Sequence, residues 1–264
     1  MNTGKNSPDT ITFLGTAGAR FMVSRQLAAS GGLWLDLSGT QILLDPGPGS
    51  IVQSTKRKLD AEKLSAIILS HRHLDHVADV NVMVEAMTNG GFNRHGILFA
   101  PADALETEPV IFSYLKNFIQ GITFLEEGKS YQIGNVSFRT PVRHIHPVET
   151  YGIIFRTPEH NFAYIADTRY FEGLEQKYIS DVLIINMVLT EPRPPIGHLS
   201  IPDVARIVSC IKPRLAVLSH FGLHVWEAGP WEIARRLSEQ TGVKVIAARD
   251  GMKLDLSKID GIQA

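Results

Sequence analysis

The chain has 264 residues, of which 44% are hydrophobic and 20% are charged, and its formal net charge is −1. This composition is typical of a soluble globular protein with a sizeable core. The near-zero net charge excludes the global positive field by which some proteins attract nucleic acid or an anionic membrane.

The single cysteine and the start of the chain bear on the cellular compartment. Cys210 alone cannot build a disulfide framework, and its place in the apolar run 208–211 predicts inert packing in a helix. Residues 1–10 are polar and lack the apolar segment of a signal peptide, and no apolar stretch approaches the roughly 20 residues that cross a bilayer. We therefore predict a cytoplasmic location and no membrane span.

The first half of the chain predicts short strands, separated by turns, and then helices. Residues 38–40 separate two apolar runs in the way a hairpin turn does, and Ser50 is expected to cap the first helix. The predicted strands are Thr10–Leu14, Gly32–Leu37, Gln41–Leu44, Ala66–Leu69 and Ile97–Ala100. The predicted helices are Ile51–Leu59 and Ala78–Thr88.

The second half of the chain repeats this character. Its predicted strands are Val136–Arg139, Gly152–Arg156, Phe162–Ile165, Val182–Ile185 and Leu215–Leu218. Its predicted helices are Ile201–Cys210 and Trp231–Gln240. No low-complexity linker or short repeat divides the chain, so we predict one α/β domain over residues 1–264, built of two similar halves.

Four potential metal ligands directly follow the strand Ala66–Leu69, namely His71, His73, Asp75 and His76. Imidazole nitrogens and carboxylate oxygens are ligands that zinc, iron and manganese accept. His71 and His73 share one face of extended backbone and can reach one ion, whereas Asp75 and His76 follow where the chain turns into a helix. Four ligands at this spacing cannot all reach one metal without strain. The pattern therefore predicts two neighbouring metal sites.

A His-x-His-x-Asp-His segment at the end of a strand resembles the hallmark motif of the metallo-β-lactamase superfamily, and the resemblance covers nearly the whole chain. It implies an αββα sandwich. It also implies three further ligands, each in a separate later segment of the chain: His146, Asp167 and His220.

The resemblance implies how the ligands divide between the two metals. His71, His73 and His146 would hold one ion, Asp75, His76 and His220 the other, and Asp167 would touch both.

His146 is favoured over His144 because an aromatic residue and a glycine follow it five and six positions later, as in the third metal motif of the phosphodiesterase branches. His144 is then expected outside the ligand set, either behind it or on the surface. Asp45 matches a position that orients a ligating histidine, although it could instead only cap its Pro-Gly turn.

Two metals about 3.5–4 Å apart lower the pKa of water toward about 7 and polarise a substrate oxygen, which suits phosphodiester, ester, amide and thioester bonds alike. Groups outside the metals must therefore select the bond. His198 is similar to an additional histidine of ribonuclease Z and the cyclic phosphodiesterases, which contacts the scissile phosphate and can act as a general acid. The resemblance thus makes His198 and Asp75 the catalytic residues. The alternative for His198 is that it only caps the start of the next helix.

The N-terminal segment also resembles the opening of the ribonuclease Z group, in which Phe13-Leu14-Gly15-Thr16 precedes a loop that here carries Arg25. Arg25, and equally Arg20, could clamp a substrate phosphate, but loop arginines are as often merely solvated.

The chain departs from ribonuclease Z in one respect. Only 21 positions separate His146 from Asp167, where that family carries a long arm for tRNA. We therefore expect a small-molecule phosphoester as substrate rather than pre-tRNA. The segment between His76 and His146 is expected to shape a pocket, and its aromatic residues are spaced as in core packing. These residues are Phe92, Phe112, Tyr114 and Phe118.

These patterns predict a dinuclear metal-dependent hydrolase, with zinc as the first choice of metal and manganese or iron as alternatives. A phosphodiesterase acting on a small or cyclic phosphate ester is the leading hypothesis. A thioester or lactone hydrolase would use the same metals, and a non-catalytic metal-binding protein is a third interpretation, which the complete ligand set opposes. The sequence leaves open the natural substrate, the native metal and the oligomeric state, a homodimer included.

Overall fold

The computed structural model describes residues 8–261. Within them lie the strands β1 (Thr10–Phe13), β2 (Leu33–Leu37), β3 (Thr40–Leu44), β4 (Leu64–Ile68), β5 (Ile97–Ala100), β6 (Gly121–Phe124), β7 (Ser130–Ile133), β8 (Val136–Arg139), β9 (Ile153–Arg156), β10 (Asn161–Ile165), β11 (Val182–Asn186), β12 (Leu215–Ser219), β13 (Val245–Ala247) and β14 (Lys253–Asp255). The helices are α1 (Ala19–Arg25), α2 (Ser50–Lys56), α3 (Leu74–Val77), α4 (Val80–Met87), α5 (Leu174–Lys177), α6 (Ile201–Ile211), α7 (Leu223–Glu227) and α8 (Pro230–Thr241).

The strands form two sheets of seven. The first sheet has the order β14-β1-β2-β3-β4-β5-β6, and the second has the order β13-β12-β11-β10-β9-β8-β7. In the first sheet β14 to β3 are antiparallel and β3 to β6 are parallel, and in the second β7 to β10 are antiparallel and β10 to β13 are parallel. The two sheets therefore have the same design, and each comes from one half of the chain, except that β14 near the C-terminus completes the first sheet.

Alternation of side chains along the strands produces three apolar layers. Ala66 and Ile68 of β4 belong to the cluster between the two sheets, whereas Ile67 faces outward and packs with Met83 and Val84 of α4. The second sheet packs its outer face against α6 and α8 in the same way. Because side chains alternate at every second residue, a central strand such as β4 contributes both to the inner core and to one helix layer. The predicted αββα sandwich is confirmed.

The predicted strands and helices are all present, and their bounds shift by no more than three residues at either end. The sequence analysis missed the short elements, among them α1, β6 and β7. None of the helices in residues 8–261 is long and apolar enough to span a membrane.

The predicted cap of the first helix is wrong. Ser50 is the first residue of α2, and its hydroxyl donates back to the carbonyl of Gly47 at 2.9 Å. The free N–H of Ile51 is instead satisfied by the carboxylate of Asp79, at 3.0 Å. The side chain just before α4 thus does for α2 what a local cap would do.

Two predictions of burial are also wrong. Cys210 is exposed, because α6 turns Ile207 and Val208 toward the sheet and a residue two positions further along lies on the opposite side. Most of the aromatic residues expected in the core lie on the surface: Phe92 is 93% exposed, Phe112 58% and Tyr114 53%, and only Phe118 packs against the core.

Candidate metal centre

The carboxyl ends of several strands meet at one edge of the sandwich. Asp45 directly follows β3, and His71 lies three residues after β4, while Asp167 and His220 follow β10 and β12 in the other sheet. Parallel neighbours end at the same edge of a sheet, so residues far apart in sequence come together there. Asp45 and His220 adopt left-handed backbone, with φ of 54° and 56°. That conformation costs a non-glycine residue roughly 1–2 kcal/mol, and it lets the chain turn sharply as it leaves the strand.

The seven predicted ligands form one cluster. The seven ligands form three groups, and within each group the potential ligand atoms lie within 4.8 Å of one another. The groups are His71, His73 and His146; Asp75, His76 and His220; and His71, His76 and Asp167. The first two groups have the membership that the resemblance implied for the two metals. The third puts Asp167 between them, with its Oδ2 3.8 Å from His71 Nε2 and 3.6 Å from His76 Nε2.

Several ring nitrogens of this cluster face another ring nitrogen or have no hydrogen-bond partner among the described residues. His146 Nε2 lies 3.0 Å from His73 Nδ1. Among the described residues, His71 Nε2 is buried with no hydrogen-bond partner. A buried polar atom without a partner costs about 1–3 kcal/mol, and a cation would satisfy it. Imidazole and carboxylate donors in this arrangement fit a pair of divalent ions.

The nitrogens on the far side of the rings are held by hydrogen bonds. The Ser70 hydroxyl donates to Asp45, so the Nδ1–H of His71 donates to Ser70 Oγ at 3.0 Å. The Nδ1–H of His146 donates to the carbonyl of Gly197 at 2.7 Å. Each of these bonds fixes the proton on Nδ1 and leaves Nε2 to face the cluster.

Asp45 holds a third ring of the cluster. Its Oδ2 accepts the Nδ1–H of His76 at 2.9 Å, the contact expected of a carboxylate that orients a ligating histidine. Its Oδ1 accepts the backbone N–H of Ser70 at 2.6 Å. Asp45 therefore binds both to a ligand candidate and to the backbone that carries the motif.

Burial and charge prepare the cluster for a cation. Burial lowers the pKa of His71 well below 6.5, and it lowers the pKa of His146 to about 4. Burial raises the pKa of Asp167, but the neighbouring His220, His198 and His76 outweigh it, and the pKa lies well below its ordinary value. The cluster thus presents neutral imidazoles at His71 and His146 and an ionised carboxylate at Asp167. Burial lowers the pKa of His76, but the carboxylates of Asp45 and Asp75 outweigh it, and that pKa lies well above 6.5.

His144 lies outside the cluster, and it is not on the surface. Its buried ring contacts the hydroxyl of Tyr178 through Nε2 at 2.6 Å and the backbone carbonyl of Asp167 through Nδ1 at 3.2 Å. The residue therefore supports the loop that carries Asp167, and of the two histidines only His146 lies in the cluster.

His198 lies in the loop before α6 and beside the cluster. Its Nδ1 is 3.4 Å from Asp167 Oδ2 and has no hydrogen-bond partner within the described chain. The capping alternative is wrong, because Ser200 and Asp203 form the capping box of α6. Burial lowers the pKa of His198, and the charge of Asp167 works in the opposite direction.

The predicted phosphate clamp has no counterpart in the described contacts. Arg25 is exposed in the last turn of α1, with its guanidinium 5.9 Å from the ring centre of Phe21. Arg20, also exposed, makes no polar contact with the cluster. Helix α1 nevertheless reaches the centre, because the N–H of Ala19 donates to Asp75 Oδ2 at 3.0 Å.

Two buried residues behind the cluster escaped the sequence analysis. Asn186 donates to Asp167 Oδ1 at 2.9 Å, and Tyr164 donates to Asp45 Oδ2, also at 2.9 Å. Asn186 carried a signal, because an amide directly follows the apolar run Val182–Ile185. Tyr164 carried none, since a tyrosine within a strand is ordinary.

Comparison with known proteins agrees with this geometry. The family model described as the beta-lactamase superfamily domain matches residues 40–221, more than half of the chain. An uncharacterized protein of Methanocaldococcus jannaschii is 29% identical over 93% of this chain and 94% of its own length. The "Probable metallo-hydrolase YhfI" of Bacillus subtilis is 28% identical over 72% of this chain and 81% of its own. A ribonuclease Z of Borrelia recurrentis is 24% identical over 94% of this chain and 97% of its own.

Solved structures show the same fold. The crystal structure of YhfI superposes with a TM-score of 0.78 at 22% identity, over 94% of this chain and 99% of the other. A diphosphatase from the PhnP family superposes with a TM-score of 0.70 at 20% identity, over 94% of this chain and 98% of the other.

Proposed function

Because the chain belongs to the beta-lactamase superfamily, we propose that it is a dinuclear metal-dependent phosphodiesterase that hydrolyses a small or cyclic phosphate ester. The superfamily and the clustered His and Asp side chains support a metal-dependent hydrolase. The observation that favours a phosphodiester over other bonds is His198, whose unpartnered Nδ1 lies 3.4 Å from Asp167 Oδ2 at the edge of the cluster.

Two divalent ions, zinc as first choice, would activate water and polarise a phosphoryl oxygen when bound between these ligands. The chain itself supplies orientation and proton transfer. Asp75 accepts the N–H of Ala19, which keeps its carboxylate turned toward His220, 3.3 Å from that ring. His198 would hold a phosphate oxygen and donate a proton to the leaving alkoxide, because an approaching anion raises the pKa of an imidazole.

The segment between His146 and Asp167 supports a small substrate. It consists of β9, β10 and the short turn that joins them, so it carries no protruding arm. A ribonuclease Z is among the relatives, and pre-tRNA is therefore included in the test as a competing substrate.

The experiment uses purified protein loaded with zinc, manganese or iron, with metal content measured by elemental analysis. We expect hydrolysis of bis-p-nitrophenyl phosphate and of cyclic nucleotides, and little of thioesters, lactones or pre-tRNA. His198→Ala should lose most of its activity on cyclic nucleotides, whose leaving group is poor, and keep its metals. Full activity of His198→Ala on cyclic nucleotides would contradict the assigned role of His198, and thioester hydrolysis without phosphodiester hydrolysis would replace the proposed function. Two bound metals with no hydrolysis of any substrate would make the chain a metal-binding protein.

A further inference from the structure

A continuous chain of hydrogen bonds runs behind the metal centre. Asn186 Nδ2 donates to Asp167 Oδ1 at 2.9 Å and to the hydroxyl of Tyr164 at 3.0 Å. Tyr164 donates to Asp45 Oδ2 at 2.9 Å, and Asp45 Oδ2 also accepts from His76 Nδ1 at 2.9 Å. All five side chains are at least 95% buried. The chain therefore joins two cluster residues from different sheets through three residues that lie outside the cluster.

The donors and acceptors of this chain allow one arrangement. Both hydrogens of the Asn186 amide are used, one on Asp167 and one on Tyr164, and the single hydrogen of the Tyr164 hydroxyl goes to Asp45. Flipping the amide would bring its oxygen against the Asp167 carboxylate, which accepts hydrogen bonds and cannot donate one when ionised. The direction of each bond is thus fixed by the two carboxylates.

The fixed bonds determine what Asp167 presents to the cluster. Because Oδ1 is held by Asn186 and lies 3.5 Å from His220 Nδ1, Oδ2 is the oxygen that faces the other rings of the cluster. It lies 3.8 Å from His71 Nε2, 3.6 Å from His76 Nε2 and 3.4 Å from His198 Nδ1. At the other end, Asp45 keeps the Nδ1–H of His76 turned away, so that the Nε2 of that ring faces the cluster.

We infer that Asn186 and Tyr164 are positioning residues that orient Asp167 and His76 together, so that both metals are bound as a pair. Neither residue belongs to the groups of side chains that could hold an ion, and both act through the residues that do. The inference rests on the metal centre of the proposed function and does not depend on which bond is hydrolysed. Outer hydrogen-bond partners of ligands typically contribute 10–100-fold to metal affinity.

Two nearly isosteric variants test this role. Tyr164→Phe removes only the hydroxyl, and Asn186→Leu removes both donated bonds at similar volume. Each should weaken the binding of at least one zinc ion by about 10–100-fold, measured by competition with a chromophoric chelator. The double variant should lose no more than the stronger single variant, because the residues act in one chain.

Tyr151→Phe is the matched control. Tyr151 is also buried, and its hydroxyl donates to Glu149 rather than to the chain behind the cluster. Its zinc affinity should stay within twofold of the parent protein. Unfolding of all variants in chelator separates metal binding from folding, since the effect on affinity should exceed any loss of metal-free stability.

The coupling between the ions gives a second readout. In the manganese-loaded parent protein we expect the electron paramagnetic resonance signal of a spin-coupled pair, and in Asn186→Leu the signal of isolated ions. Unchanged zinc affinity and an unchanged coupled signal in both variants would overturn the inference, and so would an equal loss in Tyr151→Phe. A protein that binds two metals through this chain but hydrolyses no phosphodiester would refute the proposed function and leave the inference standing.

Discussion

His76 Nε2 lies 2.9 Å from His220 Nε2, although 144 positions separate the two residues in the chain. Asp75 Oδ2 is 3.3 Å from the same nitrogen of His220. Two imidazole nitrogens and one carboxylate oxygen, each a potential metal ligand, thus meet around one point. Such a meeting of buried polar atoms is costly unless a cation or proton lies among them.

The first prediction concerns this point of convergence. His220→Ala removes one donor of three, so the variant should bind one ion as the parent protein does and the second at least tenfold more weakly. Elemental analysis after dialysis against a weak chelator measures the stoichiometry. His224→Ala, which changes an exposed histidine on α7, should keep both ions. Two tightly bound ions in His220→Ala would remove His220 from the ligand set.

The second prediction separates proton donation by His198 from substrate binding. A general acid contributes most when the leaving group is a poor one, and its contribution is typically 10²–10⁴-fold. His198→Ala should therefore lose about 10²-fold or more in kcat for an alkyl phosphodiester and much less for a p-nitrophenyl ester. Equal losses for both esters would show that His198 only binds the phosphate.

The third prediction follows from the close approach of Gly197 to His146. A Cβ at residue 197 would lie 2.7 Å from His146 Nδ1, closer than real contacts permit. Gly197→Ala should displace the ring and weaken metal binding by about tenfold, as loss of a hydrogen bond behind a ligand does. Gly121→Ala is the control, because nothing lies within 4 Å of a Cβ there. Wild-type zinc affinity in Gly197→Ala would mean that the loop moves to accommodate the added methyl group without displacing His146.

The fourth prediction is a pH dependence of stability in chelator. Burial lowers the pKa of His144 from 6.5 to about 4. Between these values the unfolded chain binds a proton that the folded chain does not, so the folded state loses stability as the pH falls from 6.5 toward 4. Over that whole range the contribution is on the order of 3 kcal/mol. Urea unfolding at pH 7.5 and pH 5 should show about 2 kcal/mol of it.

A matched pair of variants checks the source of this dependence. His144→Gln should reduce the change in unfolding free energy between the two pH values by about 2 kcal/mol, whatever its stability at pH 7.5. A change of the same sign should remain, because the pKa of His146 is also about 4. His224→Gln, on the surface, should leave the change as it is in the parent protein. An equally steep change in His144→Gln would assign the acid sensitivity to other groups.

The sequence predicted the parts of this site that depend on short-range pattern. His71, His73, Asp75 and His76 lie within six residues after a strand, so their proximity follows from local geometry. Asp167, His146 and His220 required the resemblance, because nothing local says that three distant segments end at one edge. Their function as ligands stays a prediction.

The residues that sequence reasoning missed depend on tertiary register. Asn186 reaches Tyr164 and Asp167 because β10 and β11 are paired in parallel, with Tyr164 opposite Ile184. That register is invisible in the spacing of either strand. Phe92 and Phe112 show the opposite failure, since their intervals suggested a core and the fold left both on the surface.

The two sheets contribute different ligands, and this division has a mechanical consequence. The first metal motif follows a strand of one sheet, and His146, Asp167 and His220 follow strands of the other. A pair of ions would therefore link the two sheets to each other at one end of the sandwich only. Withdrawing the ions should let the strand ends near Ser70 and Ser219 exchange their amide hydrogens faster, while the opposite end keeps its protection. Equally faster amide hydrogen exchange throughout the molecule would contradict a link at one end only.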